Sequence, residues 1–469
     1  MANHHGLWIG LLLAAGATAA QEDEYTLLFQ PPKVVTALRY LTPAAHAPAS
    51  ADIITAEDIR RFGYRTVAEA VSGLPGFQAT YDRAYAHLQV RGFHVPGDYN
   101  GRILVLIDGH RLNENLQDYA GLDSDFPLAM QDIERIEVVR GPGSSLYGSS
   151  ALLAVIQIIS KQAAQAPSLE IQGQGGSFGS HQERLAGAVK SSRVAAYLSG
   201  TLWRRDGRRV LRVPGVTRVR ELDGQDGRRL FGRIDGPHWR LSGAVVDRDK
   251  ALPDATTGYD PATRYRDRRA YVDLQADHPL GPWRGTLRLF WDHYEFRDRL
   301  PVGTAVNRDL WHGEQAGFEL TLKRHRGAHR WVAGTEYRAS YLERMDNFDR
   351  PGGTVWACNR GRNHYFGAFA QDEWRLSPVW TLILGGRLDY YSRIDDPVSL
   401  NPRAALVWEI HRRPPSNCCM DAPSAPRTPS RATTSAVREP GGTTPTSNRN
   451  ASTPSRRCWK NSSAAGICA

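Results

Sequence analysis

The stretch "GPGSSLYGSS" at 141–150 places Gly143 and Gly148 at the spacing of a phosphate-binding loop. Such a loop cradles phosphates with backbone N–H groups and needs a lysine to reach the terminal ones. Ser149 stands where that cation belongs, so the segment reads as a tight glycine turn between strands. "GQGGSFG" at 173–179 misses the dinucleotide spacing. His4-His5 and Cys418-Cys419 are metal-ligand types, but the first pair falls in an export-like leader and the second in an aperiodic tail. No Ser/His/Asp order, carboxylate pair or histidine cluster stands out as an enzyme site. Residue types and spacing thus point to no catalytic site, cofactor or metal.

Charge must be read by region. The 469 residues carry a net +10 with a pI of 9.4, yet residues 410–469 hold nine Lys or Arg against two Asp or Glu. The preceding residues are near neutral and show no basic stripe interleaved with aromatics, which argues against nucleic acid. Residues 1–409 contain one cysteine, Cys358, which excludes a thiolate metal site there.

The elements that could position chemistry fall into blocks. Leu7 to Ala20 is apolar, ends in the small residues "ATA" at Ala17–Ala19 and is followed by the acidic "QEDE". It is shorter than the roughly 20 residues a membrane helix needs and reads as a cleaved signal peptide, residues 1–20, although His4 and His5 replace the usual Lys or Arg. No other stretch approaches 18 apolar residues, so entry into a membrane would use strands.

Residues 51–161 mix helices and strands. Thr55 can cap a helix "AEDIRRF", with Asp58 placed at its positive end and Gly63 stopping it. Thr66 opens a second helix, ended by Gly73 and Pro75. "HLQVRGF", "RILVLIDGHRL" and "DIERIEVVRGP" are strands bounded by Gly and Pro.

From 168 to 409 twelve segments of about nine to sixteen residues alternate apolar with polar. Membrane strands need about 9–11 residues with aromatic girdles, whereas soluble sandwich strands usually run about 5–6. Turns at 190–193 and 235–238 are tight, and 249–268 and 343–363 read as long loops, the latter holding Cys358. Short turns at one rim and long loops at the other suit an outer-membrane barrel.

"IERIEVVRGPGSSLYGSSALLAVIQIISK" (133–161) resembles the end of the plug domain of TonB-dependent outer-membrane receptors. "ADIITAEDIRRFGYRTVAEAVSGLPGF", "VRGF" and "RILVLIDGHRL" are similar to earlier parts of that plug, in the same order. Ala154, Gln157 and Ser160 depart from the family's glycine, asparagine and threonine. The resemblance implies an antiparallel outer-membrane β-barrel, with about twelve of about 22 strands present, preceded by a mixed α/β plug. Within the N-terminal segment 21–50, Lys33, Val34, Val35, Thr36 and Ala37 are similar to the TonB box, a piece able to add to a partner's sheet edge. Arg91-Gly92, Asp108-Gly109, Arg140-Gly141-Pro142 and Gly148 match plug motifs, and Arg140 is expected to pair with a barrel carboxylate.

The function implied by the resemblance is active uptake of a scarce ligand such as a ferric siderophore, cobalamin or haem. The partners implied are TonB with its inner-membrane energising complex, outer-membrane lipid and a small iron- or cobalt-chelate. A passive porin-like channel and a non-functional truncated remnant are the competing readings.

The remnant reading comes from the tail. Residues 410–469 are rich in Ala, Pro, Arg, Ser and Thr without periodicity. Shifting the codon frame by one base makes Asn417 to Asp421 encode Leu-Leu-(Tyr or His)-Gly. The same frame permits "RAFRAPN" through Thr428 and "NPDLKPE" from Thr443, both resembling receptor-barrel segments. The expectation is a frame slip near Glu409, leaving 410–469 an out-of-frame disordered tail.

Overall fold

The computed structural model describes residues 50–408 apart from 94–98, 142 and 214, with two short pieces, β1 (Lys33–Val34) and β2 (Thr42–Pro43), paired antiparallel. The expected signal at 1–20, box residues Val35, Thr36 and Ala37, Pro142 and the tail 410–469 lie outside the described residues.

The mixed domain begins with β3 (Ala51–Thr55), α1 (Ala56–Phe62) and α2 (Val67–Ser72). Thr55 Oγ1 accepts from the Asp58 N–H at 3.1 Å while Asp58 Oδ2 accepts from the Thr55 N–H at 2.9 Å, a reciprocal capping box. Gly63 ends α1 at φ +66°, the left-handed geometry glycine takes without a Cβ penalty. Next come the hairpin β4 (Phe77–Tyr81) and β5 (Ala86–Val90), then β6 (Ile103–Ile107) and β7 (His110–Arg111). The domain closes with β8 (Ile133–Arg140), α3 (Ser144–Tyr147) and β9 (Ala154–Ser160). Five strands form one sheet in the order β3-β8-β9-β6-β7, with β6 and β9 parallel. The run "ILVLI" of β6 is buried at every position, as an unbroken apolar strand should be.

A twelve-stranded antiparallel meander comes next: β10 (Glu170–Gly176), β11 (Ser180–Lys190) and β12 (Ala195–Arg205) open it. A separate ribbon, β13 (Val210–Val213) with β14 (Val216–Arg220), interrupts the chain. The meander resumes with β15 (Gln225–Asp235), β16 (Trp239–Ala251), β17 (Arg264–Leu280), β18 (Trp283–Val302) and β19 (Ala305–Arg326). It ends with β20 (His329–Arg350), β21 (Val355–Arg375), β22 (Trp380–Tyr391) and β23 (Val398–Trp408). Among the described residues β10 and β23 each have one neighbour, so the sheet is open.

Period-2 alternation gives the sheet two unlike faces. On β11, Arg184, Ala186 and Ala188 are buried against the mixed domain while Leu185 and Val189 stand exposed on the other side. The inner residues Ala186, Ala188, Tyr197, Phe231, Ala244 and Tyr271 belong to the same apolar cluster as Ile54, Val67 and Ile156 of the mixed domain. One core therefore spans both parts.

The strand count and the tight turns agree with the alternation, but two loops do not. The expected loop 343–363 is instead the far half of a hairpin, with β20 reaching Arg350 and β21 starting at Val355. Cys358 lies on β21 opposite Asp346 rather than in a loop. The expected loop 249–268 shrinks to 252–263. In both cases apolar and polar residues stop alternating, which erases the period-2 signal while the backbone ladder continues.

Replacing Thr55 with Ala removes the cap and is expected to cost about 1 kcal/mol, read as faster hydrogen exchange across α1. The Thr55 hydroxyl and N–H hold the Asp58 carboxyl below its ordinary value of 3.8. This contribution is therefore complete above that value and is lost as pH falls through the lowered folded one. Asp58→Asn should abolish that pH dependence.

Candidate functional site

The turn joining β6 to β7 carries the first part of the site. Ile107 pairs with His110, so Asp108 and Gly109 form a two-residue turn, with φ of +50° and +87°. Positive φ at both positions is the primed hairpin turn for which Asp-Gly is a preferred pair. The turn presses against the wall. Asp108 O accepts from Arg240 Nη2 at 3.0 Å and from Arg288 Nη2 at 2.9 Å. The Asp108 carboxylate takes Ser160 Oγ at 2.5 Å and lies 3.5 Å from Arg233 Nη1. His110 Nε2 meets Asp292 Oδ1 at 2.7 Å and its ring stacks on Tyr271.

Two further junctions repeat the pattern. Asp132, just before β8, accepts from Arg184 Nη2 (2.6 Å), Tyr197 OH (2.7 Å) and Ser199 Oγ (2.7 Å). At α3, Leu146 O accepts from Arg387 Nη1 at 3.1 Å, and Arg387 is held in turn by Glu336 and Asp389 at 2.9 and 2.6 Å. Gly148 comes next at φ +72°, where a Cβ would sit 2.8 Å from Tyr365 OH and 3.0 Å from Arg387 Nε. The motif glycine is demanded by both backbone and space.

At the end of the sheet opposite the turns that join β11 to β12 and β15 to β16 lies an aromatic cluster. Tyr85 and Tyr119 meet edge-on at 5.2 Å, with Tyr99 at 6.2 Å from each and Tyr294 at 6.3 Å from Tyr119. Arg269 lies over Tyr119 and Tyr294, and Arg248 over Tyr85, at 5.2–5.7 Å. Tyr265 and Trp311 stand half-buried beside it. The loop beneath is shaped by Glu114, whose carboxylate accepts from the N–H groups of Gln117 and Tyr119 at 2.9 Å. Burial raises its carboxyl above the ordinary value against the pull of those donors.

Sequence comparison places this geometry. Residues 43–155 match the TonB-dependent Receptor Plug Domain family, and residues 208–417 match the TonB dependent receptor-like β-barrel family. The chain belongs to the TonB-dependent receptors. The iron-regulated outer membrane virulence protein of a Vibrio cholerae O1 strain is 27% identical over 432 residues, 86% of this chain and 60% of that protein. The receptor chain thus spans about 60% of the length of the curated relatives it matches. Among solved structures, the pyoverdine outer membrane receptor FpvA of Pseudomonas aeruginosa PAO1 superposes with a TM-score of 0.64 at 15% identity, covering 81% of this chain and 63% of that one. The ferric yersiniabactin uptake receptor FyuA of Yersinia pestis gives 0.58 at 17%, covering 76% and 61%. Both show the fold: a plug with a large antiparallel sheet.

Within this receptor the motif residues divide by role. Asp108, Gly109 and Gly148 sit at contacts between plug and barrel sheet. Arg91 and Gly92 do not: they turn the chain after β5 at φ +52° and +79°, exposed, with the Arg91 N–H on Gly76 O at 2.7 Å. Arg140 corrects an expectation. It pairs with Asp52 and donates to Ser50 Oγ at 2.8 Å, both in the plug, rather than with a barrel carboxylate. Asp52 faces Val138 across the β3–β8 ladder, so Arg140 is its diagonal neighbour and needs no distant partner. Gly141 has φ +99° with open space around its Cβ position. Of the box, Lys33 and Val34 lie in β1. Sequence reasoning missed Asp132 and the tyrosines, since no local pattern unites Tyr85, Tyr119 and Tyr294.

A methyl at Gly109 would meet Arg288 Nη2 at 2.7 Å, and that guanidinium is pinned by Asp273 at 3.0 Å. Gly92 has only the backbone constraint. Gly109→Ala should therefore lower the thermal midpoint of the detergent-solubilised receptor more than Gly92→Ala, which carries roughly 1–2 kcal/mol of left-handed strain alone.

Proposed function

We propose that the chain is an outer-membrane receptor for an iron chelate of the siderophore type, exported by a cleaved leader and energised from the inner membrane through TonB. The observation that carries this reading is the plug seated on the polar inner face of an outward-apolar sheet, under an aromatic and arginine cluster at the loop end. Chelates of this class combine flat or aromatic groups with negative charge. The half-buried rings of Tyr99, Tyr265 and Trp311, the accessible part of that cluster, suit the flat groups, and the buried Arg248 and Arg269 beneath them make the cluster electropositive. The names of the relatives, an iron-regulated outer membrane protein and receptors for pyoverdine and yersiniabactin, agree with iron over cobalamin or haem.

In this reading TonB pairs with residues 33–37 as an added strand and pulls. The load passes to β3 and then to the arginine contacts of Asp108, Asp132 and Leu146. These are polar contacts that water can replace one by one, so the plug can shift without unfolding its own sheet. Bonds in the ligand are not altered, and the receptor is a transporter rather than an enzyme.

A passive channel is disfavoured, because the plug occupies the inner face. The truncated-remnant reading has an observation in its favour: the edges of β10 and β23 are unpaired among the described residues. Each exposed backbone group costs several kcal/mol in lipid. A frame slip near Glu409 accounts for it, with 410–469 lying out of frame. Resequencing the gene across codons 405–417 tests this: a genomic sequence whose adjacent frame lacks "RAFRAPN" and "NPDLKPE" removes the proposal.

Two measurements separate binding from transport. In the receptor with the frame restored after Glu409, deleting residues 33–37 should leave binding of an iron-loaded chelate intact and reduce its energised uptake to background. Tyr99→Ala, at a half-buried ring of the cluster, should weaken that binding at least about tenfold, the equivalent of about 1.4 kcal/mol, in equilibrium titration. Unchanged binding by Tyr99→Ala would remove the aromatic cluster from ligand recognition.

A further inference from the structure

A second constellation sits on the opposite face of the sheet. Tyr294 packs inward against Tyr119, so its strand neighbours His293 and Trp291 face outward, as does exposed Leu289. On β19, Gln315 reaches inward to Asp292 at 3.1 Å, which turns Glu314 outward, and His312 shares its face two residues away. The ladder sets His293 directly opposite Glu314. One donor atom from each of His293, His312 and Glu314 lies within 4.8 Å of the others. Glu314 Oε1 is 3.4 Å from His293 Nδ1 and 3.2 Å from His312 Nε2. A tetrahedral ion with bonds of about 2.0–2.1 Å has ligand–ligand edges of about 3.3 Å, so these spacings already suit one.

The carboxylate is also held from behind. Tyr341 OH donates to Glu314 Oε2 at 2.7 Å, and Trp291 Nε1 donates to Tyr341 OH at 2.7 Å. Tyr341 reaches this place through a β-bulge, where the register jumps from Glu314–Leu342 to Gln315–Ser340. Such outer partners fix a ligating carboxylate and leave its other oxygen for the ion. The His293, His312 and Glu314 side chains are 24%, 30% and 24% exposed, so the site is open on its outer side to a further ligand. Two imidazoles and one carboxylate favour zinc, copper(II) or nickel over magnesium or calcium.

We propose that His293, His312 and Glu314 bind one divalent transition-metal ion of the zinc class on the outer surface of the sheet, joining β18 to β19. The site is separate from the aromatic cluster and independent of the uptake reading. Trp291 and Tyr341 are positioning residues.

The test is zinc titration of the full chain in detergent micelles against a chromogenic chelator, with all thiols blocked by N-ethylmaleimide so that the tail cysteines cannot compete. One zinc of micromolar affinity is expected, lost at least tenfold in His312→Ala and in Glu314→Gln and unchanged in His181→Ala, an exposed control on β11. Glu314→Gln keeps the size of the side chain and one acceptor oxygen for the Tyr341 hydroxyl while removing the charge, so its effect is not one of misfolding. Tyr341→Phe should weaken binding with the cobalt(II) ligand-field spectrum retained. If the unmodified chain binds no zinc, or the ligand variants bind it equally, the site does not exist.

Discussion

An arginine buried in a protein interior must be paired or it does not stay there. Arg184, Arg248 and Arg387 have no exposed side-chain surface, and each is met by a carboxylate together with a plug carbonyl or carboxylate. The remainder of the architecture depends on this. A sheet whose outer face is apolar must carry its polar residues inward, and in the absence of a plug those residues would face water. With the plug in place they are desolvated, and removing one partner of such a pair costs about 3–5 kcal/mol.

The constraint explains why the plug's special backbone positions are where they are. The Asp108-Gly109 turn and the Gly148 turn both bring main-chain carbonyls close to guanidinium groups, and a side chain at either glycine would collide with an arginine or its partner. Desolvated ion pairs add less net stability than an apolar core of equal volume. They do fix one seating, because each guanidinium must find its acceptors in register. An apolar cluster that includes Ile156 of the plug and Ala186, Ala188 and Ala244 of the sheet fills the space between.

Much of the fold was legible in the residues. Alternation alone counted the strands, because a face turned to lipid and a face turned to the plug impose strict period-2 patterning. The Thr55 and Thr66 caps were legible because capping is local. What escaped was whatever depends on neighbours across the sheet. The 343–363 hairpin leaves the apolar zone and loses its pattern while keeping its ladder. Arg140 was assigned a distant partner although a diagonal one stood on the adjacent strand. The pairing of His293 with Glu314 across β18 and β19 is set by register, and Tyr341 joins them through a bulge that no spacing announces.

Locked by buried arginines, plug and sheet should unfold as one cooperative structure. The most direct measurement of this is hydrogen exchange across a denaturant series, comparing amides of β9 in the plug with those of β16 in the sheet. Both should lose protection at the same denaturant concentration with the same dependence. Loss of β9 protection well before β16, with the sheet intact, would show the plug to be an independently unfolding insert and would contradict the lock.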